Sequence, residues 1–376
     1  MASGIANRKL KGDKIIWIIV FILSTFSVMV VYSAAGWSDL ISHLVKLLIG
    51  LIAMYITHLI PFKYYSKLGQ IGYFTSLMLL LLVLVIGVSI NGASRWVNIA
   101  GLQFQPSDMA KLTVILYMAR QISLNRDSLN RMKEFVLHLF LPLVVVCLLI
   151  LPNNFSTSAL VFINGLVLMF VARIRLNFIV KILGAAFFTA ILIYSAAKYT
   201  PFGTQIIPRS ATWVSRVDSY FLNDALQLMD KDYQQTQALV AIQNGSIFGV
   251  GPGKSAQRNI LPYSESDFIF AILLEEYGLV GGVVVLLCYL ILLFRSIRVF
   301  IKTDSIFGSL SVFGLIFSLV FQALINMLVS IEIIPVTGQT LPLISMGGTS
   351  LVFTFISIGI VLSVSRNSLE GQYAKA

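Results

Sequence analysis

The sequence predicts an all-α, polytopic membrane fold of about ten transmembrane helices, and three observations carry that prediction. Hydrophobic residues make up 57% of the 376-residue chain and charged residues only 11%, whereas a soluble domain has roughly a quarter of its residues charged. The mean hydropathy is correspondingly high, +0.89. Apolar runs of about 20 residues, the length that crosses a hydrocarbon core, recur along the chain without a long polar linker. Finally, the basic residues concentrate in every second connection, the distribution that separates short cytoplasmic loops from external ones. One membrane domain, residues 1–376, is expected.

The first span, near 15–34, follows a basic, polar start from Met1 to Lys14 and lacks a small-residue cleavage pattern, so it is expected to be retained. Lys63 and Lys67 separate the second span (near 40–61) from the third (near 69–89). The fourth, near 106–120, opens with Pro106 and Ser107, which resemble a helix start. Arg120, Arg126, Arg131 and Lys133 lie between it and the fifth, near 136–152. A sixth near 156–172 is followed by Arg173, Arg175 and Lys181, then by the seventh near 177–197. The eighth (267–294), ninth (306–330) and tenth (346–364) complete the set, with Arg295, Arg298 and Lys302 after the eighth and Arg366 and Lys375 after the tenth. With a cytoplasmic N-terminus, 18 of the 27 basic residues fall inside. A missed span would invert every later loop, so both termini are expected in the cytoplasm.

The longest connection, 199–266, is expected to be a large extracytoplasmic loop with amphipathic or short re-entrant pieces. It holds Asn223-Asp224, Asn244-Gly245 and the glycine-rich Phe248-Gly249-Val250-Gly251-Pro252-Gly253.

Several function classes are disfavoured. The net charge of +11 comes from residues that flank apolar segments, so nucleic acid is not an expected partner. Cys147 and Cys288 sit inside apolar runs and suggest neither a disulfide framework nor a zinc site. His43, His58 and His138 lie in or beside spans and read as packed residues rather than metal ligands.

The candidate chemistry sits in charges that oppose the topological trend. Arg95, Lys198, Arg209, Arg216, Lys231, Lys254 and Arg258 fall outside. They suit a diphosphate or anionic headgroup, since arginine forks onto phosphate oxygens; the alternative is a set of solvated loop charges. Asp108 and Lys111, three apart on one helix face, suit either a structural ion pair or direct substrate contact. Asp267, at the membrane boundary, suits a general base or a helix cap. Glu275 and Glu276 lie eight and nine residues further on, roughly 12–14 Å deeper along a helix, where packing or a polar cavity is expected.

At these residues the chain resembles the SEDS family of bacterial shape, elongation, division and sporulation proteins. The resemblance rests on ordered motifs: Asn91-Gly92-Ala93-Ser94-Arg95-Trp96; Gln105-Pro106-Ser107-Asp108 with Lys111; Arg216-Val217-Asp218-Ser219-Tyr220; and Tyr233-Gln234-Gln235-Thr236-Gln237. Leu261-Pro262, Ser266-Asp267-Phe268-Ile269-Phe270 and Glu275-Glu276-Tyr277-Gly278-Leu279 follow. Asn326, Pro335-Val336-Thr337-Gly338-Gln339-Thr340-Leu341-Pro342-Leu343, Ser345 and Gly347-Gly348-Thr349-Ser350 close the series.

The resemblance implies ten transmembrane helices in the bacterial cytoplasmic membrane and a peptidoglycan glycosyltransferase that polymerises lipid II. It implies Asp267 as general base; Arg95, Asp108, Lys111, Arg216, Gln237, Lys254, Arg258 and Ser345 are the expected substrate-binding or supporting residues. A divalent cation, Mg or Mn, could assist the leaving diphosphate. A class B penicillin-binding protein is the implied transpeptidase partner, beside other division or elongation proteins and membrane lipids. Gln339-Thr340 resembles the division branch, FtsW, more than the elongation branch. Two positions depart from the family pattern: Asn154 stands where an acid is frequent, and Asp108 where Glu is more usual. A lipid II flippase and a non-catalytic scaffold are the rival readings.

Overall fold

The computed structural model describes residues 12–90, 93–99, 102–199, 214, 218, 228–261 and 264–375 of the chain. Arg209 and Arg216 lie outside the described residues, as do Pro262 and Tyr263. The elements in chain order are α1 (Lys14–Leu59), α2 (Lys63–Ile86), three short strands, and α3 (Pro106–Asn125). Then come α4 (Met132–Ile150), α5 (Phe155–Val171), α6 (Leu176–Tyr199), α7 (Leu228–Gly245), α8 (Ile269–Lys302), α9 (Ile306–Ser330) and α10 (Thr349–Lys375). Among the described residues, seven helices are long and apolar enough to cross a membrane: α1, α2, α4, α6, α8, α9 and α10. The sequence-expected spans at 106–120 and 156–172 coincide with α3, which carries buried Asp108, and with the shorter apolar α5.

The strands are the departure from an all-helical chain. β1 (Val88–Ile90), β2 (Ala93–Ile99) and β3 (Leu102–Phe104) pair antiparallel in the order β1-β2-β3. β-branched Val88, Ile90, Val97 and Ile99 favour extended backbone there. The small sheet carries Arg95 into the molecule.

Two helices contain a glycine that reverses the chain. Ser27 Oγ and His43 Nε2 are hydrogen-bonded at 2.7 Å although 16 residues apart in α1, a separation of about 24 Å along a continuous helix. The chain folds back at Gly36, whose φ of 78° and ψ of −170° leave the helical region. The two spans expected at 15–34 and 40–61 are thus the arms of one hairpin.

Gly278 does the same in α8, with φ 65° and ψ −169°. The Tyr289 hydroxyl donates to Pro342 O, and the same turn holds Ser266 through Ser345 Oγ at 2.6 Å. Ile269 and Tyr289 would stand about 30 Å apart on an unbroken helix. Residues 269–277 therefore form a short helix that runs back along the longer stretch beginning at Leu279. Glu275 and Glu276 thus stand along this short helix from Asp267, as expected, but at its end beside the reversal; what changes is the continuous span expected beyond them. A hydropathy window could not detect the reversal, because both arms are apolar.

Breaking a helix frees peptide groups that must find partners when buried. The segment after α7 supplies them. Val250 N–H donates to Glu275 O at 2.9 Å and Gly251 N–H to Glu276 O at 3.0 Å, while Leu279 and Val280 N–H donate to Ser246 O and Ile247 O at 3.1 and 3.2 Å. The two carboxylates, each 1% exposed, bind the same segment. Glu275 accepts from Ser255 Oγ, from Asn244 Nδ2 at 3.2 Å, and from the N–H groups of Ala256 and Gln257, both at 3.3 Å. Glu276 accepts from Ser33 Oγ, which ties the two reversals together.

A methyl group on Gly278 would lie 2.3 Å from Ile247 O, whereas one on Gly36 would meet nothing within 4 Å. Gly36→Ala is expected to cost only the backbone strain of placing an L-residue at positive φ and extended ψ, about 1–3 kcal/mol. Gly278→Ala is expected to abolish the monodisperse folded peak in detergent size-exclusion chromatography. Equal melting temperatures for the two variants would contradict this account of the reversal.

Candidate functional site

A cavity of about 940 Å³ opens where four helix N-termini converge. Gln105 precedes α3, Asn154 precedes α5, Asp267 stands two residues before α8, and Gly348 precedes α10; all four line the cavity. Helix N-termini carry partial positive charge and outward-pointing N–H groups, so their convergence favours an anion. The α6 face formed by Phe187, Ile191 and Tyr194 gives the cavity an apolar wall.

Of the residues singled out from the sequence, Arg95, Asp108, Lys111 and Asp267 are brought together in this cavity. Pro106 at the start of α3 pre-sets the helix that presents Asp108 and Lys111. Their ion pair measures 2.9 Å with side chains 3% and 15% exposed. Lys111 Nζ also donates to Gln322 Oε1 at 3.3 Å, and Gln322 Nε2 donates to Thr340 O at 2.9 Å. Thr349 Oγ1 lies 3.5 Å from Asp108 Oδ2. Arg95 is aimed from β2 by its Nε, which donates to Asn153 O at 2.8 Å.

Asp267 stands in the turn before α8, and its carbonyl accepts from Asn326 Nδ2 at 2.8 Å. The N-cap position of α8 is Phe268 and not Asp267. Asn154, where an acid was anticipated, caps α5 by accepting from Thr157 N–H at 3.1 Å. An asparagine performs that task as well as an aspartate.

The remaining candidates lie elsewhere. Arg258 Nη1 donates to Ser33 O and Gly253 O, both at 3.2 Å. It braces the double reversal outside the cavity, and neither it nor exposed Lys254 is among the lining residues. Gln237 does not line the cavity, although Gln234 of the same helix does. Ser345 acts through the backbone, donating to Ser266 O and accepting from Leu341 N–H at 2.7 Å. At the far end of α6, Tyr194 and Lys198 donate to Asp218 at 2.5 and 3.0 Å. These bonds, the tyrosine first, hold the Asp218 carboxyl below the usual carboxylate range.

Gln322, Gln339 and Thr340 are site residues to which sequence reasoning assigned no role. For Gln322 the available signal was an amide inside an otherwise apolar span, since buried polar groups need partners; Gln339 and Thr340 lie in the connection after α9, where hydropathy gives no such signal. Among the described residues no cluster of three His, Cys, Asp or Glu could hold a metal ion. Asp108 is already neutralised by Lys111, so the donor set does not fit a resident divalent cation.

The FtsW/RodA/SpoVE family model, described as a cell cycle protein, matches residues 13–370. The chain is 30% identical over 378 residues to stage V sporulation protein E of Bacillus subtilis (strain 168), covering 96% of this chain and 99% of that protein. It is 36% identical over 324 residues to the probable peptidoglycan glycosyltransferase FtsW of Hydrogenovibrio crunogenus, covering 84% of this chain and 79% of that one. The crystal structure of the rod shape determining protein RodA of Thermus thermophilus matches with a TM-score of 0.67 at 26% identity, over 95% of this chain and 97% of that chain. A chain from a peptidoglycan synthase complex, a structure concerned with coordination of polymerization and crosslinking, matches with a TM-score of 0.75 at 27% identity, over 95% and 98% of the two chains.

Removing one partner of a buried ion pair leaves an uncompensated charge, at a cost of about 3–5 kcal/mol. Asp108→Asn and Lys111→Met should each lower the detergent melting temperature, and the double variant should lose less than the sum of the two. Strict additivity would show that the pair is not energetically coupled.

Proposed function

Because this chain belongs to the FtsW/RodA/SpoVE family and is a multi-pass protein of the bacterial inner membrane, we propose that it is a glycosyltransferase polymerising lipid II into peptidoglycan strands. The observation that carries this reading is one cavity holding the Asp267 carboxylate, the Arg95 cation, the Asp108–Lys111 ion pair and an apolar wall from α6. Joining two lipid-linked sugars needs a base for the acceptor hydroxyl, an orienting site, and stabilisation of the leaving diphosphate.

Asp267 takes the proton of the acceptor hydroxyl as that oxygen attacks the donor's anomeric carbon. The bond from that carbon to the diphosphate breaks, and the diphosphate departs with the electron pair. Arg95, Lys111 and the surrounding helix N-termini meet its charge, and Arg216 is a further candidate for the same task. The α6 face receives the polyprenyl chain. No covalent enzyme intermediate is needed. In this topology the cavity and residues 199–266 face outward and both termini face the cytoplasm. A class B penicillin-binding protein supplies the cross-linking step, and Gln339-Thr340 supports a role in division over elongation.

The flippase reading needs a polar path to the cytoplasmic side. A second, separate cavity that also touches Asp108 and Lys111 is only about 40 Å³, room for a few waters and too small for a sugar headgroup, which favours polymerisation over transport.

Purified protein, its transpeptidase partner and lipid II should yield glycan strands resolvable on a gel. Asp267→Asn keeps shape and removes the base, and should slow synthesis by about 10²–10⁴-fold without changing yield or melting temperature. Synthesis at the normal rate would remove Asp267 from the mechanism.

A further inference from the structure

Three consecutive carbonyls around Asp267 are each held from outside their own segment. Glu265 O accepts from Met346 N–H at 2.9 Å, Ser266 O from Ser345 Oγ at 2.6 Å, and Asp267 O from Asn326 Nδ2 at 2.8 Å. Of these three donors, Asn326 has a second bond that reaches across the cavity floor. The same amide nitrogen donates to Gln339 O at 2.7 Å, and Gln339 Nε2 donates to Thr157 Oγ1 at 3.0 Å. Thr157 N–H in turn donates to Asn154 Oδ1 at 3.1 Å, and the carbonyl next to that cap, Asn153 O, receives Arg95 Nε at 2.8 Å. A continuous chain of hydrogen bonds and one peptide link thus runs from Asp267 to Arg95.

We infer that Asn326 is a positioning residue that sets the Asp267 carboxylate at a fixed separation from the Arg95 cation. This rests on the polymerase reading of the cavity. Asn326 is 1% exposed and does not line the cavity, so it acts through the two loops and touches no substrate. A primary amide is suited to the position, because its two N–H groups serve two carbonyls at once. Aspartate offers no donor when ionised, and leucine has the volume without the bonds. The proposed reaction couples proton removal by one group to charge departure beside the other, and an error of about 1 Å between the two costs about 100-fold in rate. The Asn326 bonds span that distance through buried groups, where little relaxation is available.

The test compares Asn326→Leu, Asn326→Ser, Asp267→Asn and Ser311→Ala in the lipid II assay. Ser311 is a buried hydroxyl of the same helix that donates to Phe307 O at 2.7 Å, and it controls for general loss of stability. Asn326→Leu should lower kcat by about 100-fold with little change in KM, and should displace the acid limb of the kcat–pH profile. Asn326→Ser, which keeps one donor, should recover part of the rate and carries the test if the leucine variant does not fold. Ser311→Ala should move the melting temperature but not the pH profile. Wild-type kcat and pH profile in both Asn326 variants would overturn the inference while loss in Asp267→Asn left the polymerase reading standing. Full activity in Asp267→Asn would remove both.

Discussion

The reversal at Gly278 is the constraint on which the rest of the molecule depends. In an apolar surrounding a helix cannot simply stop, because each freed peptide group costs several kcal/mol unless it is paired. Here the freed groups of Glu275, Glu276, Leu279 and Val280 are taken up by residues 246–251. That exchange brings the short arm of α8 back along the long one and places its N-terminal end, with Asp267, among three other helix starts. A straight helix from Ile269 to Lys302 would carry Asp267 away from Lys111 and Arg95, and the cavity would lack its carboxylate.

Burial then dictates how each polar group is used. Glu275 and Glu276, adjacent and almost fully buried, are engaged by serines, an asparagine side chain and backbone N–H groups, and their role is structural. Asp108 and Lys111 neutralise each other while remaining at the cavity wall. Asn326, Gln322 and Gln339 connect loops to helices through amides that carry no charge and so avoid the larger desolvation penalty of an ion. The charge-bearing groups left facing the cavity are set in a frame of neutral hydrogen bonds. Such a frame resists rearrangement as charge moves during a reaction.

Much of the helical architecture was legible because hydropathy and charge alternation are local properties. Nearly every expected span coincides with a helix, and Arg95, Asp108, Lys111 and Asp267 stood out as charges opposed to their surroundings. Which candidates share the cavity was not legible where a local signal has two structural meanings. Lys254 and Arg258 look like external cations, yet Arg258 is spent on Ser33 and Gly253 carbonyls. Gln234 and Gln237 belong to one polar run, and only the packing of α7 selects the first for the cavity.

The sequence by itself determined that the chain lives in a bilayer, roughly where its helices run, and which charged side chains are too costly to be incidental, since each of these follows from the free energy of moving residues out of water. Tertiary structure alone decided which of those charges meet. Gly36 and Gly278 reverse α1 and α8; hydropathy marked the first as the gap between the spans at 15–34 and 40–61, whereas apolar residues continue on both sides of the second and nothing in hydropathy marks it. Their effect arises from positive φ and from backbone partners distant in the chain, and contacts of that kind exist only once the helices have packed.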